Sequence, residues 1–86
     1  MERQVTLGNA SGLHARPASV FVAEAGKFAS DVLIEVEGKR INAKSILGLL
    51  SLGVSKGQTL TIITEGADAE EALSALCQLV ESGLGE

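Results

Sequence analysis

Apolar and polar residues alternate from Arg3 to Leu7, with Val5 and Leu7 on one face and Gln4 and Thr6 on the other, so the chain is predicted to open with a half-buried strand. Gly8 to Gly12 is rich in Gly, Asn and Ser, which allow unusual backbone angles or compete for backbone hydrogen bonds, and this predicts a loop. The period then changes. From Ala15 to about Phe28, Ala18, Phe21, Val22, Ala25 and Phe28 recur at steps of three and four, the spacing of an amphipathic helix. Val32, Ile34 and Val36 alternate with Leu33, Glu35 and Glu37. Gly38-Lys39 then leads into Arg40 to Ala43, a pattern for two antiparallel strands joined by a tight hairpin. Ser45 is a good N-cap for a short helix in which Ile46, Leu49 and Leu50 share a face and Leu47 projects away from it. Gly53 suits the left-handed position at that helix's end.

After the polar break Ser55 to Gln58, Thr59 to Thr64 is β-rich, with Leu60 and Ile62 as the inward pair and Ile63 partly covered elsewhere. Asp68 followed by Glu71 has the spacing of a capping box. Ala69, Ala72, Leu73, Leu76, Leu79 and Val80 trace the apolar stripe of a last helix that runs up to Gly83. The predicted order is therefore βαββαβα, an α+β chain of two layers in which helices cover one sheet face and the other meets solvent. Pattern alone leaves the strand order open, and a ferredoxin-like arrangement has the same signature.

Length narrows this to one domain spanning residues 1–86, expected to bury roughly 60 to 65% of its unfolded surface. Aromatic residues are only 2% of the chain, so the core must be aliphatic, with Phe21 and Phe28 as its aromatic members and Cys77 on the apolar side of the last helix. A net charge of −4 and the lack of Tyr and Trp argue against direct nucleic-acid binding. No apolar signal region follows Met1 to Gln4, and the apolar runs are too short to cross a bilayer, so the expected location is the cytoplasm. One Cys and one His exclude an internal disulfide and the usual zinc ligand sets, and no metal site is expected. The glycines form neither a Walker loop nor a dinucleotide fingerprint, so no cofactor is expected either.

The single His and the single Pro stand together in Gly12-Leu13-His14-Ala15-Arg16-Pro17-Ala18, where loop becomes helix. Proline is tolerated in a first helical turn because the N–H it lacks would have had no intrahelical partner, so Pro17 puts the helix start close to His14. An anion on the imidazole would meet the free backbone N–H groups of Ala15 and Arg16 at the positive end of the helix dipole. The Arg16 guanidinium would add a planar fork suited to phosphate oxygens. Imidazole is a good nucleophile near neutral pH, so the stretch joins a covalent acceptor to an anion cradle and suggests a phosphohistidine.

The run GLHARPAS resembles the active-site segment of the histidine-containing phosphocarrier (HPr) family of the bacterial phosphoenolpyruvate-dependent sugar phosphotransferase system. The run from Asn42 to Gly53, NAKSILGLLSLG, resembles that family's regulatory-serine segment. The resemblance covers essentially the whole chain. It implies the HPr-like open-faced β-sandwich, with antiparallel strand order 1-4-2-3 and three helices on one face. It further implies that His14 accepts a phosphoryl group on Nδ1 from phosphorylated enzyme I and passes it to the IIA unit of a sugar permease, with Arg16 and the backbone of Ala15 and Arg16 stabilising it. The chain would then be a substrate of its partners rather than an enzyme, acting as a monomer. Ser45 matches the serine phosphorylated for carbon catabolite control, with HPr kinase/phosphorylase and a catabolite-control transcription regulator as the implied partners. Ile46, Leu47, Leu50 and Pro17 are the candidate docking residues. Leu47 and Leu50 depart from the Met common in the Gram-positive branch, a near volume-conserving change.

Two other readings compete. A Ser/His/Asp hydrolase would need Ser11, Ser19 or Ser45 as nucleophile, yet there is no G-x-S-x-G elbow and no acid locally placed to orient His14. A small ferredoxin-like regulatory or interaction domain would explain the pattern and leave His14 incidental.

Overall fold

The computed structural model describes residues 1–8 and 12–84. Its elements are β1 (Glu2–Thr6), α1 (Ala15–Ala25), β2 (Asp31–Val36), β3 (Lys39–Asn42), α2 (Ile46–Ser51), β4 (Thr59–Glu65) and α3 (Ala69–Glu81), the βαββαβα order that the periodicity predicts. The strands form one antiparallel sheet in the order β1-β4-β2-β3. The last strand in sequence is thus central, with Leu60 opposite Val5 of β1 and Ile62 opposite Ile34 of β2.

Val5, Val32, Ile34, Leu60 and Ile62 on one sheet face share a core cluster with Ala18, Phe21 and Ala25 of α1, Leu49 of α2, and Leu73, Leu76, Cys77 and Val80 of α3. Each large aliphatic side chain taken out of water here contributes about 1.5–3 kcal/mol, so this face is what holds the helices in place. The opposite face carries Gln4, Thr61, Glu35 and Arg40 in cross-strand register. There Arg40 donates from Nε at 3.0 Å and Nη2 at 2.8 Å to Oε1 of Glu35.

The element boundaries differ from the sequence expectation where backbone groups find other partners. β1 stops at Thr6 because Leu7 pairs with the polar break, its N–H donating to Gln58 O at 2.9 Å and its carbonyl accepting from Gly57 at 2.7 Å. α1 ends at Ala25 instead of near Phe28. The N–H groups of Lys27 and Phe28 reach only three residues back, the chain tightens out of the helix, and Phe28 is half-buried rather than a core residue. The hairpin turns on Glu37 and Gly38, both at positive φ (50° and 82°), a pairing whose twist suits antiparallel strands, and Lys39 already belongs to β3.

Asp68 does not cap α3. Its side chain makes no cap bond and instead accepts from Ala29 N and Ser30 N, each at 2.9 Å, and from the Ser30 hydroxyl. Three donors from the α1–β2 loop displace the single local N–H that a capping box would offer. That hydroxyl, followed by the Ala29 N–H, holds the Asp68 carboxyl below its usual range. Ile63 is buried, and Thr64, also buried, donates its hydroxyl to Ala69 O at 2.7 Å. Leu84, beyond the expected end at Gly83, closes the core below α3.

Candidate functional site

His14 is the N-cap of α1, with extended backbone angles (φ −81°, ψ −175°). Its carbonyl accepts the Ala18 N–H at 2.9 Å, while its imidazole makes no cap bond and stands exposed. The backbone therefore serves the helix and the ring is left for solvent or a ligand. Pro17, third in the helix, has no N–H, so the donors left open in the first turn belong to Ala15 and Arg16. Among the described residues neither N–H has a partner, and the first turn holds no acidic residue to offset the positive end of the dipole. The exposed Arg16 side chain makes no ion pair among the described residues. An exposed imidazole, two open amide donors and an exposed arginine thus belong to one accessible helix start.

One expectation fails here. Pro17 is fully buried, so it fixes the helix start from inside and offers no surface for docking. Ser11, a candidate nucleophile of the hydrolase reading, lies outside the described residues, as do Asn9 and Ala10 of the predicted loop. Ser19 is exposed on α1, and no hydroxyl or carboxylate among the described residues bonds to His14. Among those residues no cluster of His, Cys, Asp or Glu could hold a metal. Cys77 is enclosed in the core, where burial pushes its thiol upward against a weaker opposing effect of Arg3.

Ser45 is the N-cap of α2, and its Oγ accepts the Gly48 N–H at 3.2 Å. The expected apolar face of this helix is narrower than predicted. Leu49 is wholly buried, but Ile46 (38% exposed) and Leu50 (37%) lie outside the core with Leu47 (77%). A six-residue helix has room to turn only one large side chain under α1. The other three, at spacings of three and four, form a contiguous exposed row beside Ser45. α1 packs on α2, and the Leu13 N–H donates to Val54 O at 3.0 Å, so the chain leaving α2 is joined to the segment carrying His14. The two sequence motifs are parts of one assembly. Gly12, which sits against the backbone of Val54 at this junction, has no role assigned by the sequence pattern beyond its place in the loop two residues before His14.

A family model described as the PTS HPr component phosphorylation site matches residues 1–82. The chain belongs to the HPr family. It is 51% identical over 81 residues to the HPr-like protein Crh of Halalkalibacterium halodurans, covering 94% of this chain and 96% of that protein. HPr-C-His from Thermoanaerobacter tengcongensis superposes with a TM-score of 0.96 at 49% identity, over 100% of this chain and 97% of that one. Crh of Bacillus subtilis, described as a catabolite repression protein that forms a domain-swapped dimer, matches with a TM-score of 0.79 at 51% identity, over 86% of this chain and 85% of that one. HPr membership makes the chain a phosphocarrier-like protein. No helix among the described residues is long and apolar enough to cross a membrane.

Proposed function

We propose that this chain is a cytoplasmic phosphocarrier of the sugar phosphotransferase system, in which His14 takes a phosphoryl group from phosphorylated enzyme I and delivers it to the IIA unit of a sugar permease. The observation that supports it is the exposed His14 ring at the N-cap of α1, which together with the N–H groups of Ala15 and Arg16 has no partner among the described residues. In the forward step imidazole Nδ1 bonds to phosphorus as the enzyme I phosphohistidine nitrogen leaves. In the onward step the same bond breaks to an acceptor histidine of IIA. The two amides and the Arg16 fork offset the charge on the equatorial oxygens. Their solvent exposure keeps this stabilisation moderate, which suits a carrier, since tight ground-state binding would slow the onward transfer.

A regulatory role at Ser45 accompanies this reading, supported by the exposed Ile46–Leu47–Leu50 row beside the cap and by the likeness to proteins described as Crh. Phosphorylation of Ser45 would alter that row's chemistry and so partner choice. The carrier is taken to act as a monomer, in contrast to the dimer described for the Bacillus subtilis relative.

The test is incubation with enzyme I and phosphoenolpyruvate, with the phosphorylated residue mapped. The expected product carries one phosphate per chain, labile to acid and stable to alkali as a P–N bond is, and absent in His14→Ala. An acid-stable phosphate that survives in His14→Ala, or no phosphate at all, would overturn the carrier reading. The regulatory role is separately testable by kinase treatment of Ser45→Ala.

A further inference from the structure

We infer that Gly12 is a positioning residue for transfer at His14, because it lets the backbone of the loop after α2 seat against the segment that aims the imidazole; this rests on the carrier reading above. Gly12 has φ +64°, and a Cβ built there would lie 2.6 Å from Val54 O, 3.0 Å from Ser55 Cα and 3.4 Å from Lys56 N. All three are backbone atoms, which cannot swing aside as a flexible side chain could. The next residue uses that close approach. Leu13 donates its N–H to Val54 O at 3.0 Å, and the side chains of Leu13 and Val54 are both buried. His14 follows directly, so the place where α1 begins is set by a hydrogen bond that exists only while the two backbones touch, next to two side chains held in the core. Any Cβ at position 12 must push Val54 O away or move Leu13, and either change displaces the ring relative to the Ala15 and Arg16 amides. Displacements of this size matter in group transfer, where misplacement by about 1 Å can cost about a hundredfold in rate. The three nearest atoms belong to Val54, Ser55 and Lys56 and none to the Ile46–Leu47–Leu50 row, so docking is expected to survive while turnover falls.

Gly38 provides a matched control. It also has positive φ (+82°), but nothing lies within 4 Å of a Cβ built on it, and it sits in the β2–β3 hairpin. Gly38→Ala therefore imposes a left-handed alanine without a collision. Gly12→Asn does the converse, since Asn tolerates positive φ but still brings a Cβ against Val54 O. The experiment measures steady-state phosphorylation of His14 by enzyme I and the half-life of the isolated phosphohistidine in wild type, Gly12→Ala, Gly12→Asn and Gly38→Ala. Both Gly12 variants are expected to lose about tenfold in kcat with KM within about twofold of wild type, and to show an altered phosphohistidine half-life, whereas Gly38→Ala keeps wild-type values on all three. Wild-type kcat in a folded Gly12→Asn would overturn the inference. Should neither Gly12 variant fold, amide exchange of Leu13 in the wild-type protein decides. Strong protection is expected, and exchange at the rate of an open loop would overturn the inference. Absence of phosphate on wild-type His14 would instead overturn the carrier reading and the inference with it.

Discussion

Asp68 and Ser30, thirty-eight residues apart, are held together by two hydrogen bonds to one carboxylate oxygen, from the Ser30 N–H at 2.9 Å and from its hydroxyl. The other oxygen takes the Ala29 N–H at 2.9 Å. The clasp fastens the turn between α1 and β2 to the turn before α3, and it closes over Gly66, where a Cβ would lie 2.6 Å from Ser30 Oγ and 2.8 Å from Ser30 Cα.

Because those donors favour the ionised form, the folded-state pKa of Asp68 lies below its unfolded value. The contribution to stability is therefore fully present above the unfolded value of about 4 and is lost as pH falls through the lowered folded value. Asp68→Asn is expected to be less stable than wild type at neutral pH, with the difference shrinking below about pH 4. Urea unfolding of both proteins at several pH values checks this. A difference independent of pH would show that Asp68 acts by packing or by its neutral hydrogen bonds alone.

The same clasp shows what periodicity can and cannot convey. Repeats such as Val32, Ile34 and Val36, or Ala72, Leu73, Leu76 and Val80, are local signals of a buried face from which β2 and α3 follow, while β3 and α2 follow from the hairpin turn and the Ser45 cap, which are local signals too. Asp68 three residues before Glu71 has the same appearance as a cap in sequence, since the donors that capture its carboxylate come from a loop nearly forty residues away. Strand order is non-local too, and it came from the family resemblance rather than from the pattern. At the candidate site, the helix start at His14 was legible because Pro17 marks it chemically. The burial of Pro17 was not, and neither was the Gly12–Val54 approach, since both depend on how α1 settles against the chain leaving α2.

Arg16 follows His14 by two residues and is exposed without an ion pair among the described residues, so its guanidinium costs the fold nothing to alter. Lys in its place keeps the charge but loses the planar fork. Arg16→Lys is expected to slow phosphoryl transfer by roughly tenfold, about 1.4 kcal/mol of transition-state stabilisation, with unchanged melting. Rapid-quench transfer from phosphorylated enzyme I measures it. Wild-type rates in both Arg16→Lys and Arg16→Ala would make Arg16 an ordinary solvated residue.

Leu47 and Leu49 are two positions apart on α2 and differ completely in environment, the first 77% exposed and the second wholly buried. Leu49→Ala removes a core side chain and is expected to cost about 2–5 kcal/mol. Leu47→Ala should change stability by no more than about 0.5 kcal/mol while raising the apparent KM for enzyme I. Denaturant unfolding and transfer kinetics on the two variants separate packing from docking. A stable Leu47→Ala with an unaltered KM would remove Leu47 from the docking surface.

Ser45 combines two facts whose consequences oppose each other. Its Oγ accepts the Gly48 N–H at the start of α2, and it lies beside the exposed row of Ile46, Leu47 and Leu50. A phosphate there adds about −1.5 to −2 charges, but it faces the open amides and positive dipole end of α2, so the helix should tolerate it. A partner that covers the row must desolvate the same charge, which is costly unless it supplies a cation. Ser45→Asp, a mimic with less charge that also retains a capping oxygen, is therefore expected to melt within a few degrees of wild type and to raise the KM for phosphorylation at His14 by roughly tenfold. Ser45→Ala should do the reverse, losing about 1 kcal/mol with the cap and keeping a near-normal KM. Thermal unfolding and enzyme I kinetics on the pair decide the matter. Equal kinetics in both variants, or an unfolded Ser45→Asp, would show that charge at this cap does not act through docking.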